Sequence, residues 1–281
     1  MCGRYAATAH PDELVEAYEV VVDATHERSR SLLKSPQQPP AGEPDHNMAP
    51  TKQAPVVLTR APRTPDDDVE ADPVRQLRLL SWGLVPSWAK DPSVGNRMAN
   101  ARSESVLDRP AFARAAGRRR CLVPVTGWYE WQPSPVAVDA RGRPRKQPFF
   151  ISRTDDTPLA LAGLYEFWKD PSSPAEDPLS WVVSFTILTT AAEPGLDRIH
   201  DRQPLALDPD LWEEWLDPGT TSPDRVRSMI EASHEPGRFQ AWAVSTAVNS
   251  SRSHGPHLLD PVPRDQLVGV VDPATGEVVG V

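Results

Sequence analysis

The chain has 281 residues, 39% hydrophobic and 25% charged, with a formal net charge of −9; this suits a soluble globular protein and excludes one coated in basic surface. An acidic total still permits a local basic groove, which is what phosphate binding needs. Two cysteines, Cys2 and Cys121, exclude a disulfide framework, no apolar run is long enough for a bilayer, and no secretory pattern opens the chain. A helix is expected over residues 11–22, where Pro11 suits the first turn and Leu14, Val15, Tyr18, Val21 and Val22 share one face. Residues 23–45 are polar and proline-rich and read as a flexible insertion. Strands rich in β-branched and aromatic residues are expected over 55–60, 76–84, 120–131, 149–153, 159–168 and 180–190. Further insertions are expected at 61–74, 133–147 and 170–178. Helices follow over 209–216 and 223–233, with Asp208 and Ser222 placed as caps, then a strand over 239–245 and a loop to the end.

Strands outnumber helices and do not alternate with them. The expected class is therefore α+β: one domain over 1–281, with a mainly antiparallel, barrel-like core, flanking helices and long proline-rich surface loops. A monomer in a reducing cytoplasm is expected, with Cys2 a free thiol.

The chain begins Met1-Cys2-Gly3-Arg4-Tyr5. Initiator methionine is normally removed before a small residue, which leaves Cys2 with an α-amine and a thiol on adjacent carbons. At pH 7 about a tenth of such an amine is free base, far more than for lysine. The amine can attack an aldehyde to give a Schiff base, and the neighbouring thiol can close a thiazolidine ring. That second step is intramolecular and strongly favoured. A cysteine at position two is more often an accident, so the rest of the chain has to supply support.

Four segments do so. Asn100-Ala101-Arg102-Ser103-Glu104, expected on a turn into a helix, offers an amide to orient a nucleophile and a guanidinium to pair with phosphate; turn and cap duty is the plainer alternative. Gly127-Trp128-Tyr129-Glu130-Trp131 sets a carboxylate among aromatics, where desolvation raises its pKa toward the range of proton transfer. A rim carboxylate paired with arginine is the competing view. Ile199-His200-Asp201-Arg202-Gln203-Pro204 offers a histidine that titrates near neutrality and an aspartate to orient it, although a lone loop histidine is usually mere surface. Trp82-Gly83-Leu84-Val85-Pro86-Ser87-Trp88 offers faces for exposed bases, with one of the pair as plausibly core. Asn47-Met48-Ala49-Pro50 suggests an apolar wedge. Neither the two cysteines nor the seven histidines show metal-ligand spacing, and no phosphate-loop glycine pattern occurs, so no metal and no cofactor is expected.

Taken in order, MCGRY (1–5), NMAPT (47–51), WGLVPSWAKD (82–91), NARSES (100–105), GWYEW (127–131), PFFI (148–151), LAGLYEFW (161–168), TILTTAA (186–192) and IHDRQP (199–204) resemble the SRAP family, the SOS-response-associated peptidases. The ordered set spans most of the chain. The resemblance implies an α+β fold around a barrel-like core and a positively charged cleft for single-stranded DNA. It implies a thiazolidine between the N-terminal cysteine and a ring-opened abasic sugar, shielding the lesion in the DNA damage response. On that basis Cys2 is the nucleophile, Asn100 positions it, Glu130 is the acid/base, and His200 helps open the sugar and reverse the adduct. Arg4 and Arg102 hold phosphates, while Trp82, Trp88, Pro50 and Thr189 line the DNA path. Nucleoid association follows when DNA is bound, and no membrane partner is implied. Two other activities fit the same residues: a thiol autopeptidase removing Met1, and a non-covalent binder of modified or damaged DNA. The family loop corresponding to residues 248–254 carries serine and histidine here.

Overall fold

The computed structural model describes residues 2–27, 29–62, 71–155, 157–174, 177–233 and 236–280. In chain order its elements are β1 (Arg4–Ala7), α1 (Pro11–Ala17), β2 (Val22–Asp23), β3 (Asp45–Met48), β4 (Gln53–Arg60), β5 (Val74–Trp82) and β6 (Asn100–Arg102). Then come α2 (Ala113–Arg118), β7 (Arg120–Val125), β8 (Gly127–Val138), β9 (Pro144–Arg153), β10 (Leu159–Lys169) and β11 (Trp181–Ala191). The last are β12 (Arg202–Pro204), β13 (Ala206–Leu207), α3 (Pro209–Leu216), α4 (Pro223–Ala232), β14 (Phe239–Ala243), β15 (Val270–Val271) and β16 (Val278–Val279). The fold is α+β around a closed barrel.

Strands β11, β10, β7, β4 and β5 pair antiparallel in that order, and β5 then meets β11 in parallel through Ser81↔Ser184 and Trp82↔Phe185. A ring of five alternating strands needs one such junction, because an odd count returns to the starting direction. Period-two alternation sorts the side chains. Val56, Leu58, Cys121, Val123, Leu161, Phe185 and Ile187 share one core with the second sheet. Val57, Leu122, Ala160, Ala162, Leu164 and Leu188 pack on the other side, against Leu14, Ala115, Trp212, Trp215, Val226 and Met229 of the helices. The second sheet, in the order β14-β9-β8-β1-β3, adds Tyr5, Met48, Trp128, Phe149, Ile151 and Phe239 to the barrel-side core. Its outer face carries Ala6, Tyr129 and Phe150 under Val244, Val248 and Leu258.

Several elements differ from the sequence expectation. The first helix ends at Ala17. Glu19 takes a φ of 51° and the chain turns so that Val22–Asp23 pairs with β5. Tyr18 still stacks on Trp212, with ring centroids 4.6 Å apart. The expected strand over 120–131 is broken at Thr126, whose N–H donates to Ala6 O (2.7 Å), giving β7 and β8 in different sheets. The expected insertion at 133–147 is corrected: β8 and β9 run on as a hairpin to a tip where Asp139 accepts from the N–H groups of Arg141 and Arg143. Its prolines resemble loop punctuation. They fall instead at the first residue of β9 and where the register shifts between Pro133 and Val138, positions that do not need a ladder N–H. Residues 29–44 are irregular but anchored: Gln37 pairs both ways with the Gln53 backbone (2.7 and 2.9 Å), and Arg30 pairs with Asp170. In the expected insertion at 61–74, residues 63–70 lie outside the described residues, as do 175–176 of 170–178. Ser222 caps α4 by accepting from Arg225 N, whereas Asp208 makes no cap and pairs with Arg153 and Arg238.

Gly163 on β10 sits in the barrel wall where a Cβ would lie 2.8 Å from Cys121 Sγ. Gly163→Ala is expected to cost on the order of 2 kcal/mol through overpacking. Adding Cys121→Ala removes the opposing sulfur and should restore part of that loss in urea unfolding; an additive double variant would disprove the contact.

Candidate active site at the barrel end

Cys2 enters β1, which lies between β3 and β8 with Tyr5 opposite both Met48 and Trp128. That register can form because Gly127 starts β8: any Cβ there would lie 2.4 Å from Ile151 O on β9. Glu130 shares with Trp128 the face of β8 that turns to the barrel-side core, and it pairs with Phe149. Asn100 arrives from the opposite direction. Residues 100–102, expected to turn into a helix, form β6 instead, parallel to β11 with Asn100 opposite Ile187; a short 3-10 turn follows at Ser103–Ser105.

The Asn100 side chain donates to the Cys2 carbonyl at 2.7 Å, which fixes the main chain of Cys2. The residue before it is fixed in turn. Ala99 O accepts from both Trp82 Nε1 (2.8 Å) and Ile187 N (3.0 Å). Trp82 is fully buried, against Tyr5 and Phe185. This corrects the expectation that Trp82 lines a DNA path: neither face is open to a base, and its indole positions the strand carrying Asn100. Trp88, six residues on in the same motif, is 65% exposed and keeps a free surface.

Cys2 is wholly buried. Burial first, and then the nearby Glu130 carboxylate, push its thiol well above the ordinary range, so the sulfur is protonated at neutral pH. Glu130 is also buried, and desolvation lifts its carboxyl to about 7, with Asp201 adding to the rise and Lys146 opposing it. His200 ends the 3-10 turn Leu196–Arg198, its N–H donating to Leu196 O (3.0 Å). Burial is the main cause that lowers its pKa, Lys146 lowers it further, and Asp201 works against both. His200 Nδ1 lies 3.0 Å from Arg202 N and 2.8 Å from Asp201 Oδ1. An amide N–H can only donate, so the neutral ring accepts it at Nδ1 and carries its proton on Nε2; the contact to Asp201 becomes a hydrogen bond when Nδ1 is protonated. Cys2, Glu130 and His200 thus belong to one electrostatic cluster. Glu130 acts on Cys2, and Asp201 and Lys146 act on both Glu130 and His200.

The other expected residues divide. Arg102 is exposed at the end of β6. Arg4 is half-buried and already bonded: its guanidinium donates to Asn47 Oδ1 (2.7 Å), Val248 O (2.8 Å) and Asn249 O (3.4 Å), so the expectation of a free phosphate anchor is corrected. Thr189 is buried against Ala101 O, which corrects its place on a DNA path as well. Pro50 is half-buried at the turn between β3 and β4, and Met48 of the expected wedge is core. Sequence reasoning missed Asn47. Buried, it donates to the carbonyls of Val248, Ser250 and Ser253 and fastens residues 248–253 beside the nucleophile strand. It also missed Arg202, which grips Glu104 with two hydrogen bonds and donates to Thr189 O. Their only signal was membership of the NMAPT and IHDRQP motifs. Among the described residues, no group of three or more His, Cys, Asp or Glu is placed to hold a metal.

The model of the family described as SOS response associated peptidase (SRAP) matches residues 1–251. The chain belongs to the SRAP family. Among similar proteins, the abasic site processing protein YoqW of Bacillus subtilis is 30% identical over 92% of this chain and 99% of its own length. The abasic site processing protein HMCES of Pongo abelii is 30% identical over 93% of this chain and 76% of its own. A solved Bacteroides thetaiotaomicron protein superposes with a TM-score of 0.66 at 19% identity, covering 93% of this chain and all of that one; it speaks to the fold alone. A phage-related Bordetella bronchiseptica protein, 27% identical, gives 0.57 over 86% of this chain and 94% of that one. The SRAP match takes in Cys2, Asn100, Glu130, His200 and the Arg4–Asn47 clamp, and stops inside the clamped loop.

Glu130 makes a thermodynamic forecast. Its folded pKa is raised, so between the usual carboxylate range and about 7 the folded chain holds a proton that the unfolded chain releases, and stability falls as pH rises through that window. Glu130→Gln is therefore expected to be more stable than the parent by up to about 3 kcal/mol at pH 8 and equal to it near pH 4. Denaturant unfolding at both pH values measures this; a gap that does not change with pH would refute it.

Proposed function

We propose that this SRAP protein processes abasic sites in single-stranded DNA by forming a covalent thiazolidine through Cys2 once Met1 is gone. The observation that carries the reading is the hydrogen bond from Asn100 to the Cys2 carbonyl, which holds an N-terminal residue bearing amine and thiol within the field of a Glu130 carboxyl raised to about 7. The names of the relatives YoqW and HMCES support the substrate class.

The chemistry follows from the protonation states. The thiol is neutral and buried, so the α-amine leads: its free-base fraction adds to the open-chain aldehyde of the lesion. Near pH 7 about half of Glu130 is protonated. It gives its proton to the departing hydroxyl, water leaves, and an iminium forms, its nitrogen keeping one proton. The Cys2 sulfur then bonds to the iminium carbon while the thiol proton passes to the Glu130 carboxylate and restores it to its starting state. One water is lost overall, and no oxidant or reductant is consumed. His200, neutral with its proton on Nε2, serves as the donor that assists opening of the sugar hemiacetal.

The test is adduct formation with an oligonucleotide carrying one abasic site, read on a denaturing gel. The parent should give a heat-stable adduct without additives. Cys2→Ala keeps the amine but loses ring closure, so its adduct should appear only after borohydride trapping. Glu130→Gln should slow the parent reaction by about a hundredfold. An untrapped, heat-stable adduct from Cys2→Ala would end the proposal.

Burial of Cys2 favours a companion activity, removal of Met1 by the chain itself, because an external aminopeptidase has poor access to a bond ending in a buried residue. Intact-mass measurement of Glu130→Gln decides it. Retained Met1 supports self-processing; its loss assigns removal to another enzyme.

A further inference from the structure

The hairpin formed by β8 and β9 beyond Glu130 belongs neither to the barrel nor to the nucleophile's support. Between Asp139 and Lys146 it carries Arg141, Arg143, Arg145 and Lys146 against one carboxylate, in a chain whose net charge is −9, and all four cations are exposed. Several arginines elsewhere are spent on ion pairs: Arg75 with Glu19, Arg119 with Glu166, Arg153 and Arg238 with Asp208, Arg202 with Glu104. On the hairpin only Arg143 is paired, with Asp139; among the described residues neither Arg141 nor Arg145 has an ion-pair partner. A concentration of uncompensated positive charge on an acidic protein points to a polyanion.

The hairpin is also continuous with the candidate site and held firmly at its base. Its ladder runs without interruption from Glu130↔Phe149 through Trp131↔Pro148 and Gln132↔Gln147 to Pro133↔Lys146. From Glu130 to Val138 the strand extends roughly 26 Å at the usual rise. Gln132 locks the root with hydrogen bonds to Arg198 O (3.0 Å), Val271 O (2.8 Å) and Val271 N (2.8 Å), and Gln147 donates to Val244 O (2.7 Å). The segment preceding β15 backs the arm so closely that a Cβ on Gly269 would lie 2.5 Å from Ser134 Oγ. The root of the arm is thereby held in place beside the candidate site.

We infer that the β8–β9 arm is a second DNA contact, a rail on which Arg141, Arg143 and Arg145 bind phosphates of the strand leading away from the lesion bound at Cys2. This rests on the abasic-site reading above, and Lys146, close to Glu130 and His200, marks where the rail meets the chemistry.

The experiment compares the parent with the triple variant Arg141→Ala, Arg143→Ala, Arg145→Ala, Lys146 being left in place. Binding of an undamaged single-stranded oligonucleotide is followed by anisotropy across a salt series. Loss of three phosphate contacts should make the log–log salt dependence shallower by about 2. Adduct formation at limiting protein should fall about tenfold on a long strand with a central abasic site. It should not change on a fragment with two nucleotides either side of the lesion, which cannot reach the arm. An unchanged salt slope, or an equal loss on both lengths, would overturn the rail. If the parent forms no adduct on any substrate, the crosslinking reading fails, and the salt slope on undamaged DNA still decides the arm.

Discussion

Five strands cannot close into an all-antiparallel ring, and the single parallel junction this forces, between β5 and β11, is the constraint on which the site depends. It brings Trp82 beside Phe185, with the indole turned toward Ala99. Ala99 is thereby held on β11, Asn100 faces the incoming N-terminus, and the amide reaches the Cys2 carbonyl. Each step is a hydrogen bond at least partly buried or a packed ring, so a small error in closure would be passed on to Cys2 with little chance of absorption. A reaction that needs two nucleophilic atoms and a proton donor in one place gains most from such rigidity.

The same cluster is arranged at a cost to stability. Burial keeps the Cys2 thiol protonated and Glu130 half-protonated near neutrality, and neither group would choose that environment for folding alone. Those are the states that the proposed reaction requires: a sulfur that stays unreactive until an iminium has formed, and a carboxyl able both to give and to take a proton. Arg4 and Asn47 supply the compensating order, tying β1 and β3 to the carbonyls of residues 248–253.

Much of this was legible in the sequence, and the failures have physical causes. The strands of the barrel were visible as runs rich in β-branched and aromatic residues; β7, β10 and β11 are buried on both faces, which is why those runs are nearly continuous. Such runs do not say which strand is the neighbour, so neither the parallel closure nor the split of 120–131 between two sheets could be read. Asn100, Glu130 and His200 stand in short motifs that the sequence displays; that Asn100 bonds the Cys2 carbonyl and that Glu130 lies near the Cys2 thiol are tertiary facts. Composition could not separate Trp82 from Trp88. The two lie in one motif, one wholly buried and one open to solvent, because only the first belongs to the junction strand. The β8–β9 arm was mistaken for a loop since proline, glycine and arginine dominate it, and only the ladder to a partner strand reveals their true positions.

The clamp between Arg4 and residues 248–249 has a consequence for the order of folding. An arginine two positions after Cys2 takes its final seat on main-chain oxygens 244 and 245 positions further along the chain, and β1 needs both β3 and β8 beside it as well. Such long-range closure comes late, because the intervening chain has to be ordered before the contact can form. The surroundings of Cys2 are therefore completed only when the most distant part of its support has docked.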